Sequence, residues 1–113
     1  TLSHPSKIIE IQKDNSMYLY ELNNTSLNFP KVDLKNLQGG SAKENAEIIH
    51  KLFFEKEKND AYFVVVANAA LALKTAGISD DIKECALIAE ESIQSGKTLE
   101  KLNQLKEFGD KYK

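Results

Sequence analysis

In Leu37-Gln-Gly-Gly-Ser-Ala-Lys-Glu-Asn-Ala46 a glycine pair runs directly into a helix start. Ser41 and Glu44 stand three residues apart, so the serine hydroxyl can accept from the Glu44 amide while the Glu44 carboxylate reaches back to the Ser41 amide. This capping box predicts a helix from Ala42 to Phe54 that buries Ala46, Ile49, Leu52 and Phe53. Gly39-Gly40 ahead of it could in principle cradle an anion at the helix N-terminus. The capping box already occupies two of the free amides, which favours a tight turn with close backbone packing.

Downstream, the charged loop Glu55-Lys-Glu-Lys-Asn59 leads to Asp60, the expected N-cap of a second helix closed by Gly77. Tyr62-Phe-Val-Val-Val66 has strand propensity, and Ala67-Asn-Ala-Ala-Leu-Ala-Leu-Lys74 tips the segment toward helix. Ala61 to Leu73 is apolar on all sides, which in a helix implies burial all round. Ser79 is expected to cap a third helix, with Asp80 and Asp81 in its first turn and Gly96 at its end. Leu99, Leu102, Leu105 and Phe108 form the apolar stripe of a fourth.

Upstream, Ser6-Lys-Ile-Ile-Glu-Ile-Gln12 and Ser16-Met-Tyr-Leu-Tyr-Glu-Leu22 flank the turn composition Lys13-Asp-Asn15 and read as a β-hairpin. Alternation puts Met17, Leu19 and Glu21 on one face and Tyr18, Tyr20 and Leu22 on the other. Neither face is polar throughout, so the hairpin needs further structure to rest on. Residues 23–40 connect it to the helices, anchored by Leu27, Phe29, Val32, Leu34 and Leu37. The division is hairpin 6–22, connector 23–40 and helical segment 41–113.

The chain has 113 residues, of which 42% are hydrophobic and 28% charged, with net charge -2. One domain of this size buries roughly 60 to 70% of its unfolded surface. The charge gives no pull toward nucleic acid or an anionic membrane. The apolar run Ala61 to Leu73 falls short of the roughly 20 residues of a membrane span. No signal peptide is present at the start, so the cytoplasm is the expected location, and the glycosylation patterns at Asn23 and Asn24 carry no weight. Thr1 opens the chain and Met17 is its one methionine, so a processed chain or a piece of a longer protein is expected.

All fifteen basic residues are lysine. Arginine's planar fork grips carboxylate and phosphate with two parallel hydrogen bonds, so the chain is poorly equipped for a doubly anionic substrate. Cys85 is the single cysteine; it falls among Ile82, Ala86, Ile88 and Ala89 and reads as a buried structural thiol in a reducing compartment.

The remaining motifs read as structure. Ser95-Gly-Lys-Thr98 matches the end of a P-loop, but Glu91 stands where its first glycine belongs and a helix precedes it instead of a strand. Asn45 and Asn68 are expected to tie helix to loop or helix to helix, because a buried amide needs partners. His4 and His50 lack companions at metal-ligand spacing. Glu90 and Glu91 diverge by about 100° on a helix and read as a solvated face rather than a carboxylate pair.

Taken together, Ser3-His-Pro-Ser-Lys7, Leu34-Lys-Asn-Leu-Gln-Gly-Gly40, Glu44-Asn-Ala46, Ala67-Asn-Ala-Ala70 with Ala76-Gly77, and Ala89-Glu-Glu-Ser-Ile-Gln-Ser-Gly96 resemble the C-terminal third of the anthranilate phosphoribosyltransferase family. The likeness covers Leu2 to about Phe108. It implies an α+β fragment, a β-hairpin followed by about four helices, from the α/β domain of the phosphoribosyltransferase and nucleoside phosphorylase fold. It also implies a parent enzyme acting on anthranilate and phosphoribosyl pyrophosphate with magnesium, in tryptophan biosynthesis.

The family's Gly-Thr-Gly-Gly-Asp loop, its Asp-Glu metal pair and its anthranilate-binding Arg have no counterpart here. The resemblance therefore places no catalytic, cofactor or metal residue in this chain, and no cofactor is expected to bind it. Gly39, Gly40, Ser41, Glu44, Asn45 and Asn68 remain as structural candidates. The isolated chain is expected to be inactive, to expose an apolar patch where the missing sheet would sit, and to need the missing N-terminal part of the same protein. The alternatives are an autonomous structural or interaction module that self-associates, and a piece of a pyrimidine-nucleoside phosphorylase.

Overall fold

A computed structural model describes residues 2–113. Strands β1 (Ser6–Ile11) and β2 (Met17–Leu22) form an antiparallel hairpin, followed by helices α1 (Ala42–Phe53), α2 (Asp60–Thr75), α3 (Ile82–Gln94) and α4 (Lys97–Lys111). Two short 3₁₀ turns, Thr25–Leu27 and Leu34–Leu37, interrupt the connector. The hairpin and four helices match the expected fold class.

In the hairpin, Ser6 pairs with Leu22, Ile8 with Tyr20, Ile9 with Leu19 and Ile11 with Met17. Asn15 adopts the left-handed conformation that the turn requires, at φ 67°. Leu22 is buried and Ile8 packs against the core, so one face of the hairpin base is seated. Cross-strand partners share a face, so Ile9, Ile11, Met17 and Leu19 all lie on the other side, each at least 66% exposed.

The core is the seam between α2 and α3, where Tyr62, Val66 and Ala70 meet Cys85, Ala86, Ala89 and Ile93. Leu27, Phe29 and Val32 of the connector close it, and Leu52 is α1's buried contribution. Small residues at Ala67, Ala70, Ala86 and Ala89 let the two helices approach closely.

Several local expectations shift. Ala46 and Ile49 are exposed, because α1 meets the body through Leu52 and Phe53 near its C-terminal end. The N-cap of α2 is Asn59, whose side chain accepts from the Tyr62 amide at 3.0 Å, while Asp60 sits in the first turn. Asp60 instead accepts from the Asp33 amide and the Asn36 side chain, clamping the connector to α2. Asp81 rather than Ser79 caps α3, accepting from the Lys83 amide, and Asp80 lies outside the helix.

At the end of α2, the Gly77 amide donates to the Lys74 carbonyl and the Ile78 amide to the Leu73 carbonyl, with Gly77 at φ 80°. Gly96, at φ 86°, ends α3 in the same left-handed conformation and turns the chain into α4. The α4 stripe is only partly used: Leu99 and Leu102 are half-buried, while Leu105 and Phe108 are 65% and 62% exposed.

The helix α2 is not buried all round, since Val65, Asn68 and Ala72 are exposed. The molecule measures 45 × 31 × 25 Å, with a radius of gyration of 15.7 Å against roughly 13 Å for a compact chain of this length. It exposes 8168 Å², about 1,900 Å² more than a compact monomer of 12.7 kDa.

Candidate functional site

The turn into α1 is held by a reciprocal clasp. Ser41 Oγ accepts from the Glu44 amide at 3.3 Å, and Glu44 Oε2 accepts from the Ser41 amide at 2.6 Å. Asn45 adds a second pair: its Oδ1 accepts from the Gly40 amide at 2.9 Å and its Nδ2 donates to the Gly40 carbonyl at 3.3 Å. A side chain at either glycine would displace one arm of this clasp. A Cβ at Gly39 would lie 2.8 Å from Asn45 Oδ1, and one at Gly40 would collide with the Glu44 carboxylate.

The clasp fixes the chemistry available there. The Ser41 amide, and then its hydroxyl, hold the Glu44 carboxyl below its ordinary value of 4.5, so it is ionised at neutral pH. A depression beside it is lined by Glu44, Glu47 and Lys51 as well as the glycines. Two carboxylates against one ammonium disfavour a phosphate or carboxylate ligand.

Asn68 stands apart from this turn. It is exposed on α2 and donates to the Val64 carbonyl of its own helix at 2.9 Å, so it ties neither helix to helix nor helix to loop. Its side chain borders a small apolar depression between the hairpin base and α2, lined by Leu2, Ile8, Leu22 and Leu71.

Two polar networks had no signal in local sequence. Tyr62 is fully buried; its hydroxyl donates to Glu90 Oε2 at 3.2 Å and accepts from Gln94 Nε2 at 3.4 Å. Lys58 Nζ lies 3.4 Å from the same carboxylate oxygen, so Glu90 is a bound partner and not part of a solvated face. Burial is the main cause that pushes the Tyr62 phenol above its ordinary 10.0. At the other end of α2, Lys74 Nζ contacts both oxygens of Glu10 and lies 5.8 Å from the Tyr20 ring centroid.

The other motifs fall as follows. Cys85 is buried, with Sγ 3.5 Å from the Ser79 carbonyl. His4 lies 3.1 Å from Ser3 Oγ, and His50 stacks on Phe54 at 4.7 Å. Ser95 and Gly96 belong to the α3–α4 turn, where Ser95 Oγ donates to the Ser92 carbonyl. Among the described residues no three His, Cys, Asp or Glu side chains gather where they could hold a metal ion. Among them too, no helix is long and apolar enough to cross a membrane.

An apolar trough of about 540 Å³ lies on α2 and α3, lined by Phe53, Val65, Ala69, Ala72, Leu73 and Ile88. It carries no charged side chain. In an α/β domain, an apolar helix face of this kind packs on a sheet.

Residues 1–99 match the family described as glycosyl transferase family, a/b domain. The chain is 35% identical over 112 residues to an anthranilate phosphoribosyltransferase of Acetivibrio thermocellus, covering 99% of this chain and 32% of that relative. It is 32% identical over 107 residues to the enzyme of that name from Bacillus velezensis, covering 95% and 31%. With the one from Methanosarcina barkeri it shares 35% over 100 residues, covering 88% and 27%. The chain thus spans about a third of the length of the curated relatives it matches.

Proposed function

Because the chain belongs to the glycosyl transferase family, through its a/b domain, we propose that it is the C-terminal part of a phosphoribosyltransferase that joins anthranilate to phosphoribosyl pyrophosphate. The observation that carries this reading is 35% identity to an anthranilate phosphoribosyltransferase over 99% of the chain. In the reaction, the anthranilate nitrogen forms a bond to the ribose C1, and the bond from C1 to the pyrophosphate oxygen breaks. Magnesium, when bound, would supply positive charge to the departing pyrophosphate alongside pre-placed donors.

Those groups lie in the rest of the parent protein. The role of this chain is to complete the α/β domain, with the α2–α3 trough seated on its sheet and the hairpin bracing the segment that holds the metal. Gly39, Gly40, Ser41, Glu44 and Asn45 serve that architecture as a turn and helix start. The cytoplasm is the setting, in keeping with a lone, reduced Cys85.

The test replaces the matching third of the Acetivibrio thermocellus enzyme with this chain and follows anthranilate fluorescence with phosphoribosyl pyrophosphate and magnesium. The chimera is expected to consume anthranilate, and the 113-residue chain alone to leave it unchanged. Turnover by the chain alone, or a folded chimera that does not turn over, would reject the reading.

A further inference from the structure

Between the connector, the loop before α2 and α3 lies a depression of about 330 Å³, lined by Phe29, Phe63 and Leu87 together with Lys58, Lys83 and Glu90. Its apolar part is largely aromatic, with the Phe29 and Phe63 ring centroids 5.0 Å apart, and Leu87 is 68% exposed.

The polar side chains here are not used up by the fold. Glu90 engages Tyr62 and Lys58 through one oxygen, Oε2, at 3.2 and 3.4 Å, and among the described residues its Oε1 has no partner. Among them too, the Lys83 ammonium has neither a hydrogen bond nor an ion pair. The Glu90 side chain is only 20% exposed, so its open oxygen is a partly dehydrated acceptor that gains more from a counter-charge than one in water. We propose that this depression binds an α-amino acid with an apolar side chain. The ligand carboxylate sits on Lys83, its ammonium on Glu90 Oε1, and its side chain against Phe29, Phe63 and Leu87.

Charge and size select this class. An apolar carboxylate leaves the Glu90 oxygen unmet and an apolar amine leaves Lys83 unmet, whereas a zwitterion meets both. Small-molecule sites run from about 300 to 1,000 Å³, so the volume suits a single amino acid better than a peptide segment.

The site is separate from the apolar trough. Lys83, Leu87 and Glu90 recur at helical spacing along one stripe of α3, while Ile88 and Ser92 of the trough lie on the face turned away from it. On α2, Phe63 is turned away from Val65 and Ala72 in the same manner. Seating the trough on a sheet therefore does not cover the depression, and the inference stands whether or not the parent enzyme is the one proposed above.

Titration of the isotope-labelled 113-residue chain with L-phenylalanine, followed by amide shifts in nuclear magnetic resonance, tests this. Saturable shifts are expected at Phe63 and along α3 from Lys83 to Glu90, with a Kd of about 1 mM or below. Phenylpropionate, which lacks the ammonium, and phenethylamine, which lacks the carboxylate, are each expected to bind about threefold or more weakly, the scale of one exposed ion pair.

Two variants on exposed side chains complete the test. Leu87→Glu is expected to abolish the shifts with unchanged circular dichroism. Lys83→Met is expected to weaken phenylalanine by about threefold and leave phenethylamine unchanged, because only the first carries the carboxylate that Lys83 holds. Absence of saturable shifts at about 10 mM phenylalanine, or shifts confined to the trough, would overturn the proposal. So would phenylpropionate binding as tightly as phenylalanine, or a Lys83→Met chain that weakens phenylalanine and phenethylamine alike.

Discussion

Lys74 Nζ lies 2.7 Å from one Glu10 carboxylate oxygen and 2.9 Å from the other, bridging 64 residues of chain. The pair ties β1 to the last turn of α2 and is the polar counterpart of the apolar seating at Leu22 and Ile8. The Glu10 carboxyl is held below its ordinary 4.5, first by the hydrogen bond from Lys74, and the Lys74 ammonium is held above 10.5, first by the bond to Glu10.

The sign of the pH dependence follows. A lowered carboxyl contributes above its ordinary value and loses that contribution as pH falls through the folded value; a raised ammonium contributes below its ordinary value and loses it as pH rises. The tie is therefore complete between 4.5 and 10.5 and fades outside that window. Lys74→Met is expected to speed amide exchange in β1 and β2 at pH 7 and leave the α2–α3 core amides unchanged. Equal acceleration everywhere would contradict a local tie.

The α1 start gives a second prediction. Ser41→Ala removes an N-cap acceptor and is expected to cost about 1 kcal/mol in urea unfolding. Gly40→Ala is expected to destabilise by pushing the Glu44 carboxylate off the Ser41 amide, since the added Cβ occupies its place. The two changes damage one clasp, so the double variant is expected to fall short of the sum of the singles.

Tyr62 gives a third. Its hydroxyl is buried between Glu90 and Gln94, so Tyr62→Phe keeps the ring packing and strands two polar partners. A loss of about 1–2 kcal/mol is expected in chemical denaturation. In a spectrophotometric titration of the wild type, the Tyr62 phenol is expected to ionise above its ordinary 10.0.

Cys85 gives a fourth. It is fully buried in the α2–α3 seam, so its reaction with a thiol reagent requires opening of the core. Labelling is expected to be slow in native buffer and to follow the global unfolding transition in urea. Rapid labelling of folded protein would contradict the packing.

What was legible in the sequence was local. The hairpin, the capping box at Ser41 and Glu44, the helix ends at Gly77 and Gly96 and the buried thiol all rest on contacts within a few residues, or on apolar spacing along one element. The N-caps at Asn59 and Asp81 were misplaced by one and two residues because adjacent polar residues compete for the same amides, and the winner depends on where the chain enters the helix.

The local rules dictated that these residues form a hairpin and four helices, because backbone propensity, caps and turn chemistry act over short separations. Packing alone decided which faces met. It left Ala46 and Ile49 in water, turned Glu90 from a solvent-facing charge into the partner of Tyr62, and joined Glu10 to Lys74 across the chain. Asn68 shows the same division: its type and position invited a partner on another element, yet the geometry of α2 returned it to a carbonyl one turn back. A side chain's partner at long separation is set by the relative placement of whole elements, which no local rule encodes.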